Sequence, residues 1–135
     1  MSAQIYFKSK ITGKMKTSYF GNPAVKNDPN AVSIARWSPQ WWGSRRRYID
    51  LAPSADLLKR AKAGFSWPLY VAEYRNSVLA KLDPYKVYAD LADAIILCYE
   101  KPGEKCHRRL VAEWFEQCLG IKVPELQPFT VPMFF

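Results

Sequence analysis

The sequence lacks any long apolar run. Among its 135 residues, no segment approaches the ~20 apolar residues that a membrane-spanning helix needs. The N-terminal segment MSAQIYFKSK has no apolar core of signal-peptide length. Internal repeats and low-complexity segments are also absent. These absences argue against membrane and repeat proteins, and we expect a soluble, cytoplasmic protein that does not bind membranes.

Cysteine and histidine are scarce. The three cysteines are an odd number without the spacing of a small disulfide-rich domain, so they predict free thiols in a reducing compartment. The single histidine, His107, directly follows Cys106. The C-x7-C-H spacing that these residues form with Cys98 lacks the paired C-x2-C or H-x3-H pattern of zinc sites. We therefore assign no metal ion and no cofactor.

Apolar and basic residues are abundant instead. Hydrophobic residues make up 49% and aromatic residues 15% of the chain, which predicts a compact protein rather than a disordered one. Twenty Lys and Arg against twelve Asp and Glu give a net charge of +8, which favours anionic partners such as nucleotides or nucleic acid.

The order of predicted elements indicates the fold. Strands are predicted at residues 16–20, 31–36, 94–99 and 121–123. Helices are predicted after the capping residues Ser54, Ser66 and Asp83 and over residues 105–119. The continuous apolar run AIILCY at 94–99 is typical of a strand buried on both faces. This order predicts an α/β fold, a single Rossmann-like domain whose mostly parallel sheet is flanked by helices.

The length fits one domain, which we expect to span residues 1–123. Residues 124–135 form a tail with three prolines and a Phe-Phe end, which cannot be a regular helix. Apolar residues at a free end are unfavourable in water. We expect this tail to pack on the domain or on a second subunit, so a homodimer through the tail is one alternative.

The segment CYEKPGEKCHRR joins the predicted strand at 94–99 to the helix that follows. In an open α/β sheet, ligands bind at the carboxyl ends of strands, where helix N-termini present free N–H groups. At such a helix start Cys106 is favoured as a thiolate, and Arg108 and Arg109 can grip a phosphate.

Several interpretations of this segment stay open. Cys98 fits best as a small buried strand residue. Cys106 and His107 can be structural, nucleophilic or metal-binding, or they can accompany anion binding at the helix start. Neighbouring helical residues point about 100° apart, which disfavours His107 as the activator of Cys106.

A loop rich in tryptophan and arginine, RWSPQWWGSRRR, follows the predicted strand at 31–36. Trp37, Trp41 and Trp42 can stack on bases while Arg36 neutralises phosphates. The same tryptophans can instead form a hydrophobic lid over the core. The loop leaves the sheet at the same edge as the cysteine segment, and Tyr19 at the end of the first strand can join them.

Several motifs, from TSYF at 17–20 through VSIARWSPQWW and YVAEYRNSVLAKLDP to ILCYEKPGEKCHRRLVAEW, resemble the family called domain of unknown function 488. The similarity extends from about residue 17 to residue 119. It implies an α/β, Rossmann-like fold with one shared site, at Cys98, Glu100, Lys101, Cys106, His107 and Arg108. An Arg-Trp-x-Pro element, here Arg36, Trp37 and Pro39, also belongs to the pattern. The family has no general assigned activity, so the resemblance implies a site rather than a reaction.

We expect an intracellular hydrolase or transferase that acts on a nucleotide or nucleic acid, by hydrolytic or glycosidic chemistry. Glu100, Cys106 and His107 are the candidate catalytic groups, because histidine has an intrinsic pKa suited to proton transfer and a carboxylate can orient it or act as base. The candidate binding residues are Tyr19, Arg36, Trp37, Trp41, Trp42, Lys101, Arg108 and Arg109. The alternative is a binding module without chemistry, for a nucleotide or a single strand.

Overall fold

The computed structural model describes residues 13–100 and 104–126. Lys101 and the end of the tail, residues 127–135, lie outside the described residues. Three strands form one parallel sheet in the order β1–β3–β2. They are β1 (Lys16–Tyr19), β2 (Ala31–Ser33) and β3 (Ile95–Cys98). The α/β architecture with a parallel sheet is therefore confirmed.

The central strand β3 explains why the sequence has one continuous apolar run. All four of its residues are buried, because both of its edges pair with neighbours and both of its faces are covered. Ile96 belongs to the larger hydrophobic cluster, whereas Ile95 and Leu97 belong to a smaller cluster. This alternation places the two clusters on opposite faces of the sheet.

The α-helices of the described residues are α1 (Ala55–Lys62), α2 (Trp67–Ser77), α3 (Pro84–Leu91) and α4 (His107–Leu119). Short 3-10 turns lie at Gln40–Trp42, Ile49–Leu51 and Leu79–Lys81. None of these helices is long and apolar enough to cross a bilayer.

The caps predicted from the sequence differ in their contacts. Ser54 accepts a hydrogen bond from the Leu57 N–H at 3.0 Å, and Asp83 accepts one from the Tyr85 N–H at 2.9 Å. Ser66 precedes α2 but makes no side-chain capping bond.

The two faces of the sheet are covered differently. All four helices contribute buried residues to the larger cluster, which includes Leu57, Tyr74, Val87 and Phe115. The buried residues of the smaller cluster come from strands and loops and from Trp42, which lies in a 3-10 turn. The helices therefore cover one face rather than both, because the connection from β1 to β2 contains no α-helix to cover the other.

The short strand predicted at 121–123 does not form, and that prediction is wrong. The backbone groups of Val123 are bound by side chains of α4, since its N–H donates to Glu116 Oε2 at 2.9 Å and its carbonyl accepts from Arg109 Nη1 at 2.9 Å. The chain instead meets β1 directly after Val123, where the Thr17 N–H donates to the Pro124 carbonyl at 3.0 Å and the Leu126 N–H donates to the Thr17 carbonyl at 2.7 Å. The start of the tail therefore packs along the outer edge of β1.

Candidate active site

A pocket of about 670 Å³ opens at the carboxyl ends of β2 and β3. Its lining includes Arg36 beyond β2, Cys98 and Glu100 at the end of β3, and Cys106 and His107 at the start of α4. A parallel sheet brings these segments together because its strands all end at one edge. The crevice predicted from the sequence therefore exists, and it unites the end of β3 with the residue that follows β2.

Aromatic rings form much of the pocket wall. Trp37 has 58% of its surface exposed and is held in place through its backbone, whose carbonyl accepts a hydrogen bond from the Tyr99 hydroxyl at 2.7 Å. Trp67 and Tyr70 stack on each other on the α2 side, with centroids 5.0 Å apart. The pocket thus offers flat apolar surfaces to a planar ligand.

The charged groups of the described pocket lining are mainly cationic. Arg36, Lys62 and Lys105 contribute positive charge, and Glu100 is the one carboxylate among these lining residues. The Arg36 Nε donates to the Pro53 carbonyl at 3.0 Å, and this bond fixes the position of the Nε side of the guanidinium group. Burial raises the pKa of Tyr70, and the negative charge of Glu100 raises it further. The lining therefore suits an anionic ligand and also holds one acid–base group.

The floor of the pocket contains a cluster of sulfur and imidazole groups. Cys98 and Cys106 are joined by a disulfide bond, with their Cα atoms 7.3 Å apart. The ligand atoms of Cys98, Cys106 and His107 all lie within 4.8 Å of one another. The expectation of free thiols is therefore wrong for this pair, whose eight-residue separation gave no pairing signal, while Cys118 is free and exposed.

His107 is buried and uncharged. Its Nε2 lies 2.9 Å from the Ile34 carbonyl oxygen, which can only accept, so Nε2 carries the proton and Nδ1 keeps its lone pair. Burial lowers the pKa of His107 to about 4, and the nearby positive charge of Arg108 lowers it as well. His107 therefore does not titrate near neutrality: at pH 7 its neutral ring can accept a hydrogen bond or bind a metal ion at Nδ1, but it is not an acid.

Arg108 and Arg109 lie away from the pocket lining. Arg108 is 1% exposed, and its Nε and Nη2 donate to the two carboxylate oxygens of Glu125 at 3.0 and 2.8 Å. Its Nη1 donates to Cys98 Sγ at 3.2 Å. Arg109 Nη1 donates to Thr17 Oγ1 at 2.7 Å. The anion that Arg108 binds in the structure is therefore a carboxylate of its own chain.

A protein-family model described as the active DUF488-N3 subclade, DUF488-N3a, matches residues 16–119. The chain belongs to the DUF488 family. The matched segment runs from β1 to the end of α4 and so includes every described element of the pocket. No curated protein and no solved structure matches this DUF488 chain.

The structure divides the three loop tryptophans of this DUF488 protein. Trp37 lines the pocket, whereas Trp41 and Trp42 do not. Trp42 is fully buried in the smaller cluster, and Trp41 is 40% exposed, with Lys26 Nζ 4.8 Å from its ring centre. Tyr19 ends β1 but is also absent from the lining. The interpretation as part of the hydrophobic core therefore applies to Trp42, whereas base stacking by Trp37 stays a prediction.

Sequence reasoning missed the wall of the pocket that α1 and α2 supply. Lys62, Phe65 and Trp67 reach the pocket because the end of α1 and the start of α2 meet there. The capping residues in the sequence mark where these helices begin, but they do not show which edge of the sheet the helices approach. Glu125 was missed for a similar reason, since nothing in the proline-rich tail marks it as the partner of Arg108.

Proposed function

We propose that this DUF488 protein is an enzyme that acts on a nucleotide or nucleic acid in the pocket at the ends of β2 and β3. The observation that carries the proposal is the combination in one pocket of exposed aromatic rings, three cationic side chains and a single carboxylate. The volume of about 670 Å³ lies within the range of small-molecule sites. The matching family model describes an active subclade, which supports an enzyme.

The aromatic and cationic groups would divide the work of binding. Trp37 is the exposed ring on which a base can stack, and a stacked base contributes about 1–3 kcal/mol. Arg36, Lys62 and Lys105 would neutralise phosphate groups. The ligand would thus be recognised as a planar ring that carries negative charge.

Glu100 is the proposed acid–base group of the reaction. Glu100 is exposed among the residues that line the pocket, so its carboxylate is accessible to a substrate that binds there. His107, with its neutral ring, would act as a hydrogen-bond acceptor or a positioning group, and Cys106 would be nucleophilic only as a free thiol. A carboxylate at this position can transfer the proton in hydrolytic or glycosidic cleavage.

A non-catalytic module that binds a nucleotide or a single strand is the second candidate. The disulfide between Cys98 and Cys106 favours it, because it occupies both sulfur atoms in the floor of the pocket. In this case the pocket would bind the same ligands and leave them unchanged.

Binding and turnover separate these candidates. We expect Trp37→Ala to weaken binding of mononucleotides or short single strands by about 5-fold to 150-fold in calorimetry. Trp41→Ala is the matched control, since it removes a partly exposed tryptophan outside the pocket, and should change affinity less than twofold. Equal losses in the two variants would contradict the proposed pocket.

Glu100→Gln should leave binding intact and reduce turnover by about 100-fold or more. Turnover is measured by chromatography of nucleotides and oligonucleotides after incubation with the wild-type protein and the variant. Binding without turnover in the wild type identifies the non-catalytic module. Equal turnover in the two proteins excludes Glu100 as the acid–base group.

The fold and the assembly complete the proposal. The parallel sheet with its crevice at the carboxyl edge supports a single Rossmann-like domain. We also propose a cytoplasmic location for the protein. We also propose that the tail contributes to a homodimer, because its sequence ends in Phe134 and Phe135, which are unfavourable in water. Truncation after Pro128 should lower the mass measured by light scattering, and an unchanged mass excludes the tail as the interface.

A further inference from the structure

We propose that Cys98, Cys106 and His107, once the disulfide is reduced, bind a zinc ion or a similar divalent metal ion in the floor of the pocket. Their ligand atoms already lie within 4.8 Å of one another, and all three residues are buried. The proposal concerns metal binding and stands independently of the nucleotide pocket. It departs from the expectation of no metal, which rested on spacing along the sequence alone.

The set of ligands suits zinc. Two thiolates and one imidazole form the Cys2His set found in zinc sites that keep a fourth position for water or substrate. The two sulfur ligands of a tetrahedral zinc ion lie ~3.8 Å apart, given Zn–S distances of about 2.3 Å. The Cα atoms of Cys98 and Cys106 are 7.3 Å apart, beyond the range of about 4.4–6.8 Å usual for disulfides. After reduction, this Cα separation permits the two sulfur atoms to move from bonding distance to the spacing that a zinc ion requires.

The adjacent ligands Cys106 and His107 converge because the backbone changes conformation between them. Cys106 is the N-cap of α4, with extended angles of φ −151° and ψ 144°, and His107 is the first helical residue. Neighbouring residues inside a helix would point about 100° apart. The extended conformation of Cys106 removes that obstacle, so two adjacent residues can bind the same ion.

Two ligands already have the outer contacts that metal sites use. The Nε2–H of His107 donates to the Ile34 carbonyl, which fixes the ring and leaves Nδ1 as the nitrogen able to bind the ion. Arg108 Nη1 donates to Cys98 Sγ, and Glu125 holds Arg108 in position. The guanidinium charge favours the thiolate form of Cys98 that a metal ion requires.

Metal binding requires prior reduction. A dithiol reductant gives two electrons and two protons to the Cys98–Cys106 disulfide, which becomes two thiols while the reductant becomes a cyclic disulfide. Binding of the divalent ion then releases the two thiol protons. The fourth ligand would come from the pocket, where Glu100 also lies. If the proposed function holds as well, an ion there can polarise a bound substrate or water.

The test uses the whole chain in two redox states. Wild-type protein is reduced with dithiothreitol without oxygen, freed of reductant and titrated with Co²⁺. We expect one ion per chain, with the near-ultraviolet bands of cobalt–thiolate bonds and the intense visible bands of tetrahedral cobalt. Oxidised protein, with its sulfur atoms in the disulfide, should not show these bands. Equal spectra in the two states, or no cobalt–thiolate band after reduction, would overturn the proposal.

Cysteine variants assign the ligands. Cys98→Ser and Cys106→Ser should each weaken Zn²⁺ binding by roughly 100-fold or more in competition with a chromophoric chelator, and His107→Ala should also weaken it. Cys118→Ser is the matched control, because Cys118 is the free, exposed cysteine, and its affinity should match that of the wild type. Loss of binding in Cys118→Ser, or its retention in Cys98→Ser, contradicts the site.

Two further measurements separate a loss of metal binding from unfolding of a variant, and the metal site from the proposed nucleotide site. Circular dichroism shows whether each variant is folded, and the comparison of redox states needs no variant at all. Nucleotide binding is measured on the same samples in chelator. Nucleotide binding without metal binding refutes the metal site alone, and metal binding without nucleotide binding refutes the proposed function alone.

Discussion

The buried ion pair between Arg108 and Glu125 predicts a large loss of stability when its negative charge is removed. Arg108 has 1% and Glu125 has 13% of its side chain exposed, and two hydrogen bonds join them. Glu125→Gln keeps the shape of the side chain but leaves the Arg108 charge buried without a counter-ion. Removing one partner of a buried pair costs about 3–5 kcal/mol of the free energy of unfolding.

The loss corresponds to a fall in melting temperature of roughly 10–18 °C, since the unfolding entropy of a chain of this length lowers Tm by about 3.5 °C per kcal/mol. Urea unfolding followed by tryptophan fluorescence measures the free energy directly. Glu113→Gln is the matched control, because Glu113 lies 3.9 Å from Arg75 with both side chains about half exposed. This control should lose less than about 0.5 kcal/mol. A loss below about 1 kcal/mol in Glu125→Gln would refute the reasoning.

Three further predictions concern capping and buried tyrosine. Ser54→Ala should cost about 1 kcal/mol of unfolding free energy in urea, because it removes the capping bond to the Leu57 N–H. Ser66→Ala should cost less in the same assay, because Ser66 makes no side-chain capping bond. Tyr74→Phe should cost about 1–3 kcal/mol at pH 7, because it leaves the buried Leu51 carbonyl without its donor. Burial raises the pKa of Tyr74 well above that of an exposed tyrosine, so its contribution is complete below about pH 10 and declines as the pH rises further. Urea unfolding at pH 9 and at pH 11 should show that Tyr74→Phe removes about 1.4 kcal/mol from the total fall in unfolding free energy between these two pH values, and an equal fall in the two proteins would contradict this.

The elements of the fold were predictable where the sequence carries local signals. The apolar run at 94–99 predicted the central strand, and Ser54 and Asp83 predicted two helix starts. Gly120, with φ 70°, follows the helix predicted over residues 105–119 and ends α4, because glycine adopts the left-handed conformation without strain. These features depend on neighbouring residues, so a single sequence is enough to find them.

The site was predicted only in part, because its key contacts join residues far apart in the chain. The position of Trp37 and Glu100 at strand ends followed from the α/β pattern. The partner of Arg108 did not, since Glu125 reaches it only after the chain has turned back along β1. Basic residues at a helix start were expected to face an external anion. In the structure, Glu125 at the start of the tail provides the anion that Arg108 binds.

The strand order β1–β3–β2 has a consequence for synthesis on the ribosome. Within the sheet, β1 and β2 are joined through β3, whose residues 95–98 emerge long after them. At about 5–20 residues per second, the nascent chain carries β1 and β2 without this central strand for several seconds. The sheet can close only when most of the chain has been made, so folding depends on distant contacts and should be slow for a protein of this size. A chaperone that shields the first ninety or so residues would act on this interval.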